Sequence, residues 1–560
     1  MTSTNELIFQ KKYIVAAYTL LAAFTLAGMF IPLMDNDAGE YAIVAMRMAK
    51  ENDFINIVRK SEDYLDKPHL LFWLSAISMK IFGFTSFAYK LPSVLFSIAG
   101  IYATTKLGTL LYNKHAGLLA GLVVGYAQAY IFSSHDVRTD AILTGATILA
   151  IYKFIQYSYT KNYTSIILGS LFLALAVGTK GMVAVLVTGS CVFIHLLYQR
   201  QGQEIFGWKW LSSIIWFFIF LSPFLYCYYL QFDAHPEKIV KGAQNVSGVK
   251  FLLWTQSFER LSGQNNMVDN PDYFFFFHTL LWAFLPWSII TYFSMYKDLA
   301  SLIKNRFRQT PDVQAALSCS TLILFLIFSA SKFKLPHYLN ILFPMLAIVT
   351  AQNMVSAINN NKFRWMGGVL TGISVIYLLA TIIVNGWAFP VDTILAITTA
   401  IIAVVAIAYT VVKLPASITK PLILVLVVAG FCNLLINLNF YPKMLAYQGG
   451  NTLAEYVNTN RIDKSKINYY VSDRCFSFDY YSQTDVPERD LTTLQQMRDR
   501  KETFYVVTDN GRIKELIGGG IQMKEIKTVG DFHVSQLTLP FINPARRQST
   551  LDQLILVQVN

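Results

Sequence analysis

Carboxylates and cations crowd into one short stretch of an otherwise apolar chain. Residues 34–67 carry thirteen charged side chains, among them Asp35, Asp37, Glu40, Arg59, Asp66 and Lys67, whereas charged residues make up 14% of the sequence and hydrophobic ones 54%. The stretch directly follows an apolar run, 13–33. Ionisable groups at a membrane face are costly and are kept for function. A carboxylate in a partly dry site has its pKa raised towards that of a general base, and a fixed cation stabilises a departing anion. Asp37 is the candidate base. Lys67 is the candidate anion ligand, because Pro68 disfavours helical geometry at the residue before it and leaves the lysine on an extended corner.

Other loops add to the same chemistry. His135-Asp136-Val137-Arg138-Thr139-Asp140 is a polar island between two apolar runs, and Thr179-Lys180-Gly181 is a tight turn with Lys180 on its outer side. Lys332-Phe333-Lys334-Leu335-Pro336-His337-Tyr338 is basic and aromatic, and WTQSFERLSG (254–263) contributes Arg260. Asp140 is the second candidate catalytic acid. Lys67, Lys332 or Lys334, Arg260 and Tyr338 are candidates for stabilising phosphate charge. The set suits a reaction on an amphiphile whose phosphate lies at headgroup level. No phosphate-binding P-loop, dinucleotide fingerprint, HExxH zinc motif or nucleophile elbow stands out. Structural roles compete for the same residues. Asp37 and Glu40 are spaced as a capping box, with Asp37 at the N-cap and Glu40 at the third helical position. Asp66 and Pro68 suit a helix start, and Asp140 suits the cap of the helix that follows it.

The elements that position these side chains are mostly membrane spans. Apolar runs long enough to cross about 30 Å of hydrocarbon recur through the chain. They fall near 13–33, 88–112, 117–134, 141–160, 164–179, 182–198, 210–231, 273–296, 313–331, 339–358, 366–387, 391–411 and 420–440, about thirteen in all. Residues 37–50 place Ala38, Tyr41, Ala42, Ala45, Met46 and Ala49 on one face, as in a helix lying on the membrane surface. Residues 69–82 are apolar but too short to span.

The net charge of +12 partly reflects the excess of Lys and Arg in cytoplasmic loops. With the N-terminus inside, Lys11, Lys12, Lys114, Lys161, Arg200, Lys304, Arg306, Arg308, Lys362, Arg364, Lys413 and Lys420 fall on that side. Lys67, Arg138, Arg260, Lys332 and Lys334 fall on the other, against the rule, and need another explanation. The dispersal of the cations between spans excludes nucleic acid as a partner. The five cysteines show no paired spacing, which excludes a disulfide framework or zinc site. From about residue 441 the composition becomes that of a soluble α/β domain. INYYVS (467–472), TFYVVTD (503–509) and FHVSQLTL (532–539) read as strands, and LTTLQQMRDRK as an amphipathic helix. The fold expected is an α-helical polytopic membrane protein, with a transmembrane part over 1–440, interfacial helices in its first outer loop and a small soluble α/β domain over 441–560 on the outer side.

The motifs, taken in order, are D-x-x-E-Y after the first span, then D-K-P, R-T-D, T-K-G and K-L-P-x-Y. This order resembles the polyprenol-phosphate-sugar-dependent glycosyltransferases of the C-type fold, above all the lipid A aminoarabinose transferases and protein O-mannosyltransferases. The resemblance runs over roughly residues 10–350. It implies a sugar donor carried on undecaprenyl or a related phosphate, presented on the periplasmic side of a bacterial inner membrane. Carried over by motif, Asp37 matches the essential acid after the first span, Asp140 the acid opening the fourth, and Lys67 the phosphate-binding lysine. Tyr338 lies in the motif near the donor phosphate. Glu40, Tyr41, Arg138, Arg260, Lys332 and Lys334 complete the expected substrate contacts.

The chain departs from the family pattern in two places. The family motif F-E-K-P-P is here Leu65-Asp66-Lys67-Pro68-His69, and Glu40 stands where the aminoarabinose enzymes carry an arginine. Some members bind a divalent metal through the acid of the first motif, and here Asp66 with His337 or His69 would supply the ligands. No other cofactor is implied.

The expected activity is inverting transfer of a sugar from polyprenyl phosphate to a hydroxyl or phosphate of lipid A, a glycan or a protein. The alternative is a lipid or glycan transporter or flippase, which favours charges within spans and repeat-related halves. Neither is evident here. Oligosaccharide transfer to protein is a third reading, against which stands the absence of a W-W-D motif.

Overall fold

The computed structural model describes residues 6–60, 62–259, 272–306 and 315–560. The first apolar helix, α1 (Lys11–Gly28), ends beneath a buried lysine. Lys90 Nζ donates to Gly28 O at 3.2 Å and to Ile31 O at 2.7 Å, taking up carbonyls that a helix end leaves without an intrahelical partner. Gly28 is needed at this point, because a Cβ there would lie 2.1 Å from His135 Nε2.

Helix α2 (Asp37–Glu51) follows. Its cap is Asn36, whose Oδ1 accepts from Ala38 N at 2.8 Å. The capping-box expectation is therefore off by one residue. Asp37 is the first helical residue, and its carboxylate is left for other work. The helix is buried on more than its expected apolar face. Gly39, Ile43, Val44 and Met48 are buried along with the expected apolar face. The helix is covered on one side by α3 (Leu70–Phe82) and on the other by the C-terminal helix Phe476–Ser482. Gly39 permits that second contact, since its Cβ would lie 3.0 Å from Phe476 Cβ. Between α2 and α3, a hairpin of β1 (Val58–Arg59) and β2 (Glu62–Asp63) is tied down by Gln231, whose Nε2 donates to Ile57 O and to Asp63 Oδ1, each at 2.8 Å. Helix α3 has 13 residues, short of the roughly 20 that a span requires.

The central bundle is α4 (Ser86–Leu111), α5 (Lys114–Gly125), α6 (Gln128–His135), α7 (Asp140–Thr160), α8 (Tyr163–Lys180) and α9 (Val183–Tyr198). Small residues let α4 and α7 approach closely, as is usual between helices in lipid. A Cβ on Gly145 would lie 2.2 Å from Phe96 O. Among the described residues, seven helices are long and apolar enough to cross a membrane, or eight if α5 and α6, bent by 55°, form one span. The protein is a multi-span membrane protein. Several of the thirteen expected runs are shorter or broken as helices. The run 273–296 divides into Phe275–Ala283 and Ser288–Lys304 around Pro286, a residue that cannot donate to a continuing helix.

Residues 467–559 hold a four-stranded sheet of β3 (Ile467–Tyr470), β4 (Phe504–Asp509), β5 (Met523–Asp531) and β6 (Asp552–Val559), in the order β3-β4-β6-β5. β3 and β4 are parallel and the other pairs antiparallel. The helix expected in LTTLQQMRDRK is present as Leu491–Asp499. The segment FHVSQLTL is not a strand. Phe532 and Val534 instead pack with Phe541, Phe389 and Met444. The strand falls just before, in a polar segment at the sheet edge, where one side faces solvent and apolar alternation is weak.

This sheet region contacts the first outer loop directly. Lys60 pairs with Glu488 at 2.9 Å, and the half-buried carboxylate of Asp35 accepts from Ser477 Oγ at 2.9 Å. Burial pushes the Asp35 carboxyl up to about 7, and Asp531 nearby adds to the rise. The folded protein thus holds a proton there that the unfolded chain, titrating near about 3.9, releases. The resulting stabilisation is present at low pH and is lost as pH rises through about 7. Between about pH 5 and 8, the melting temperature of the wild type should fall more steeply than that of D35N. Parallel pH profiles would contradict this.

Candidate active site

One cavity of about 160 Å³ collects side chains from five separate stretches of chain. It is lined by Asp37, Tyr41, Asp66, Lys67, Arg138, Thr139, Asp140, Lys180, Phe333, Leu335, His337 and Tyr338.

Several of the lining residues arrive at element ends, while Asp66, Lys67 and Arg138 come from the loops ahead of α3 and α7. Asp37 opens α2, Asp140 opens α7, Lys180 is the last residue of α8, and Tyr338 lies in the turn Pro336–Leu342 that leads into the helix Phe343–Asn359. Four carboxylate–cation pairs result. Arg138 donates from Nη1 to Asp37 Oδ2 at 3.0 Å and from Nε to Asp136 Oδ2 at 3.1 Å. Lys180 Nζ donates to Asp140 Oδ1 at 2.7 Å. Lys67 is hydrogen-bonded to the neighbouring Asp66. Aromatic rings line the cations, with Lys180 Nζ 4.5 Å from the centre of the Tyr338 ring and Lys67 Nζ 5.9 Å from that of Tyr41. Burial, with Tyr64 and Asp37 nearby, drives the Tyr41 hydroxyl well above its ordinary range, so it stays neutral. Burial likewise raises Asp136, although Arg138 works against the shift.

The two acids differ. The Asp37 side chain is 46% exposed and the Asp140 side chain 4%. Asp140 is not a helix cap. Its carboxylate faces Lys180, with His337 Nε2 at 4.0 Å from its other oxygen. Asp66 caps nothing either, because α3 begins after His69 with no side-chain cap.

Asp37, Tyr41, Asp66, Lys67, Arg138, Asp140, His337 and Tyr338 thus share one cavity. Among the described residues, Glu40, Lys332 and Lys334 do not line it. Glu40 pairs with Arg59. Lys334 Nζ donates to Asp272 O at 3.0 Å. Lys332 is absent from the lining, and Arg260 lies outside the described residues. Among the described residues, no group of three or more His, Cys, Asp or Glu side chains is placed to hold a metal ion. With Asp66 engaged by Lys67 and His337 set against Asp140, the donor set does not fit a divalent metal, and no step below is routed through one. Lys180 is a contributor to which the sequence reading gave no role. Its signal was its place in the T-K-G motif.

A second, apolar cavity adjoins the first and shares Asp140, Lys180, Phe333 and Tyr338 with it. Its remaining walls include Leu143, Val183, Phe276, Phe328 and Ile341.

Residues 66–227 match the family model for dolichyl-phosphate-mannose-protein mannosyltransferase. The chain is 25% identical over 313 residues to an uncharacterized protein of Aquifex aeolicus, covering 56% of this chain and 57% of that one. It is 24% identical over 332 residues to the undecaprenyl phosphate-alpha-4-amino-4-deoxy-L-arabinose arabinosyl transferase of Shewanella sediminis, covering 59% of this chain and 57% of the relative. The match therefore spans a little over half the length of these relatives. In structure it is similar to ArnT from Cupriavidus metallidurans bound to undecaprenyl phosphate, with a TM-score of 0.73, 15% identity and 98% of each chain covered. The chain shares the fold of ArnT over nearly its whole length.

Proposed function

We propose that this protein is an inverting glycosyltransferase that takes its sugar from a polyprenyl-phosphate donor and delivers it to a hydroxyl or phosphate acceptor. The observation that carries the reading is the joining of two cavities of opposite character at Asp140, Lys180, Phe333 and Tyr338. A lipid phosphate has the same two halves, with an apolar chain for the Phe276 and Phe328 side and a charged head for the side holding Lys67, Arg138 and Lys180. The names of the arabinosyl transferase relatives, and the undecaprenyl phosphate bound to ArnT, support the same donor class.

In this reading, Asp37, the more exposed acid, takes the proton of the acceptor as its oxygen attacks the anomeric carbon. The new C–O bond forms as the bond to the phosphate oxygen breaks, and polyprenyl phosphate leaves from the opposite face with inversion. Phosphate is a good leaving group and needs charge stabilisation rather than protonation. Lys67 and Lys180 supply that stabilisation, and Tyr41 and Tyr338 contribute to the donor's surroundings. Asp140 holds Lys180 in place and need not touch the acceptor. The setting proposed is a bacterial inner membrane, with the N-terminus cytoplasmic, residues 1–440 as the transmembrane part and residues 441–560 periplasmic. The bias of Lys and Arg between loops supports that orientation.

Three outcomes test this reading. In proteoliposomes supplied with a polyprenyl-phosphate sugar, D37N should lose about 10²-fold or more in kcat while remaining folded. Full turnover would remove Asp37 as the base. K67A should raise the donor KM about tenfold or more, in line with the loss of one charge-assisted hydrogen bond, and an unchanged donor KM would count against phosphate contact. Breaking a buried ion pair costs about 3–5 kcal/mol, so D140A should be strongly destabilised and the double variant D140A/K180M should recover most of that loss. Simple additivity of the two changes would show that the pair is not coupled.

A further inference from the structure

Residues 33–35 connect the first apolar run to the helix that carries Asp37, and they have no regular secondary structure of their own. Buried backbone groups need hydrogen-bond partners, and these come from the other end of the chain. Leu33 N donates to Tyr481 Oη at 2.7 Å. The Gln448 amide serves both sides of the segment, with Nε2 donating to Leu33 O at 3.0 Å and Oε1 accepting from Asp35 N at 2.7 Å. The Asp35 carboxylate accepts from Ser477 N at 3.3 Å and Ser477 Oγ at 2.9 Å. Gln448 and Ser477 are fully enclosed. Gly450 makes room for the contact, since a Cβ there would lie 2.4 Å from Ser477 Oγ.

We infer that the C-terminal α/β region is a positioning element for the transfer reaction, in which Gln448, Ser477 and Tyr481 clamp residues 33–35 and so fix the start of α2 and the Asp37 carboxylate. The inference rests on Asp37 as the base. Asp35 is two residues from Asp37, and Asn36 between them is the helix cap. Arg138 holds the Asp37 carboxylate on the other side, so the base is restrained from its backbone and from its tip. A misplacement of about 1 Å costs about 10²-fold in rate, which is why a clamp on the neighbouring backbone bears on turnover and not on donor binding.

The test uses full-length protein in proteoliposomes. Release of undecaprenyl phosphate is followed from undecaprenyl-phosphate-linked mannose or 4-amino-4-deoxy-arabinose, whichever the wild type consumes. Q448A and D35A should each lower kcat about tenfold or more, with the donor KM held within about twofold. D35N, which keeps an acceptor oxygen and the side-chain shape, should restore most of the rate. Independently of turnover, Q448A should speed amide hydrogen exchange over residues 33–41 while leaving α4 and α7 protected. Q448A and D35A with wild-type kcat beside an inactive D37N would overturn the clamp and leave the base standing. An active D37N would overturn the base assignment itself. Unchanged exchange over residues 33–41 in Q448A would overturn the clamp whatever the kinetics.

Discussion

Charges at the edge of a membrane must be paired, and that constraint organises this molecule. Taking an ion out of water costs several kcal/mol unless a counter-charge and hydrogen bonds replace the solvent (about several per ion). Asp37 with Arg138, Asp66 with Lys67, and Asp140 with Lys180 meet the requirement within one small cavity. No two of these pairs come from the same helix. Their assembly therefore depends on α2, α7, α8 and the turn before the helix Phe343–Asn359 ending at one level. The helix ends add to the effect. The two acids stand at N-termini and Lys180 at a C-terminus, the placement that each helix dipole favours.

The same pairing gives the cavity its character. Three carboxylates and three permanent cations line it, so it is close to neutral until a ligand arrives. An incoming phosphate competes with Asp66 for Lys67 and with Asp140 for Lys180. A site of this kind recognises an anion by exchange of partners and keeps its cations in position in the meantime. In the proposed reading, the adjoining apolar cavity favours anions that carry a hydrocarbon tail. The C-terminal sheet region bears on the same geometry from outside the membrane bundle, through its contacts with the short segment ahead of Asp37.

Much of this was legible in the residues, and the reasons are physical. Asp37, Lys67, Arg138, Asp140 and Tyr338 stood out because polar side chains are scarce in an apolar chain and each follows or precedes a long apolar run. Lys180 was harder to read, since one lysine in a three-residue turn looks like an ordinary interfacial anchor. Glu40 has the motif position of a substrate contact, yet it faces Arg59, a residue whose approach depends on the β1–β2 hairpin. The cap of α2 moved by one residue because Asn36 and Asp37 are both good caps, and only tertiary contacts decide between them. Strand β5 was hidden by its position at the sheet edge, where MKEIKTVGD carries little apolar pattern.

The central claim is that one lipid phosphate occupies both cavities at once. A structure of the protein with a polyprenyl phosphate bound tests it most directly. The account predicts the phosphate within hydrogen-bond reach of Lys67 and Lys180, beside Asp37, with the isoprenyl chain running past Phe276 and Phe328. A phosphate bound elsewhere, with the Asp66–Lys67 and Asp140–Lys180 pairs undisturbed, would contradict it.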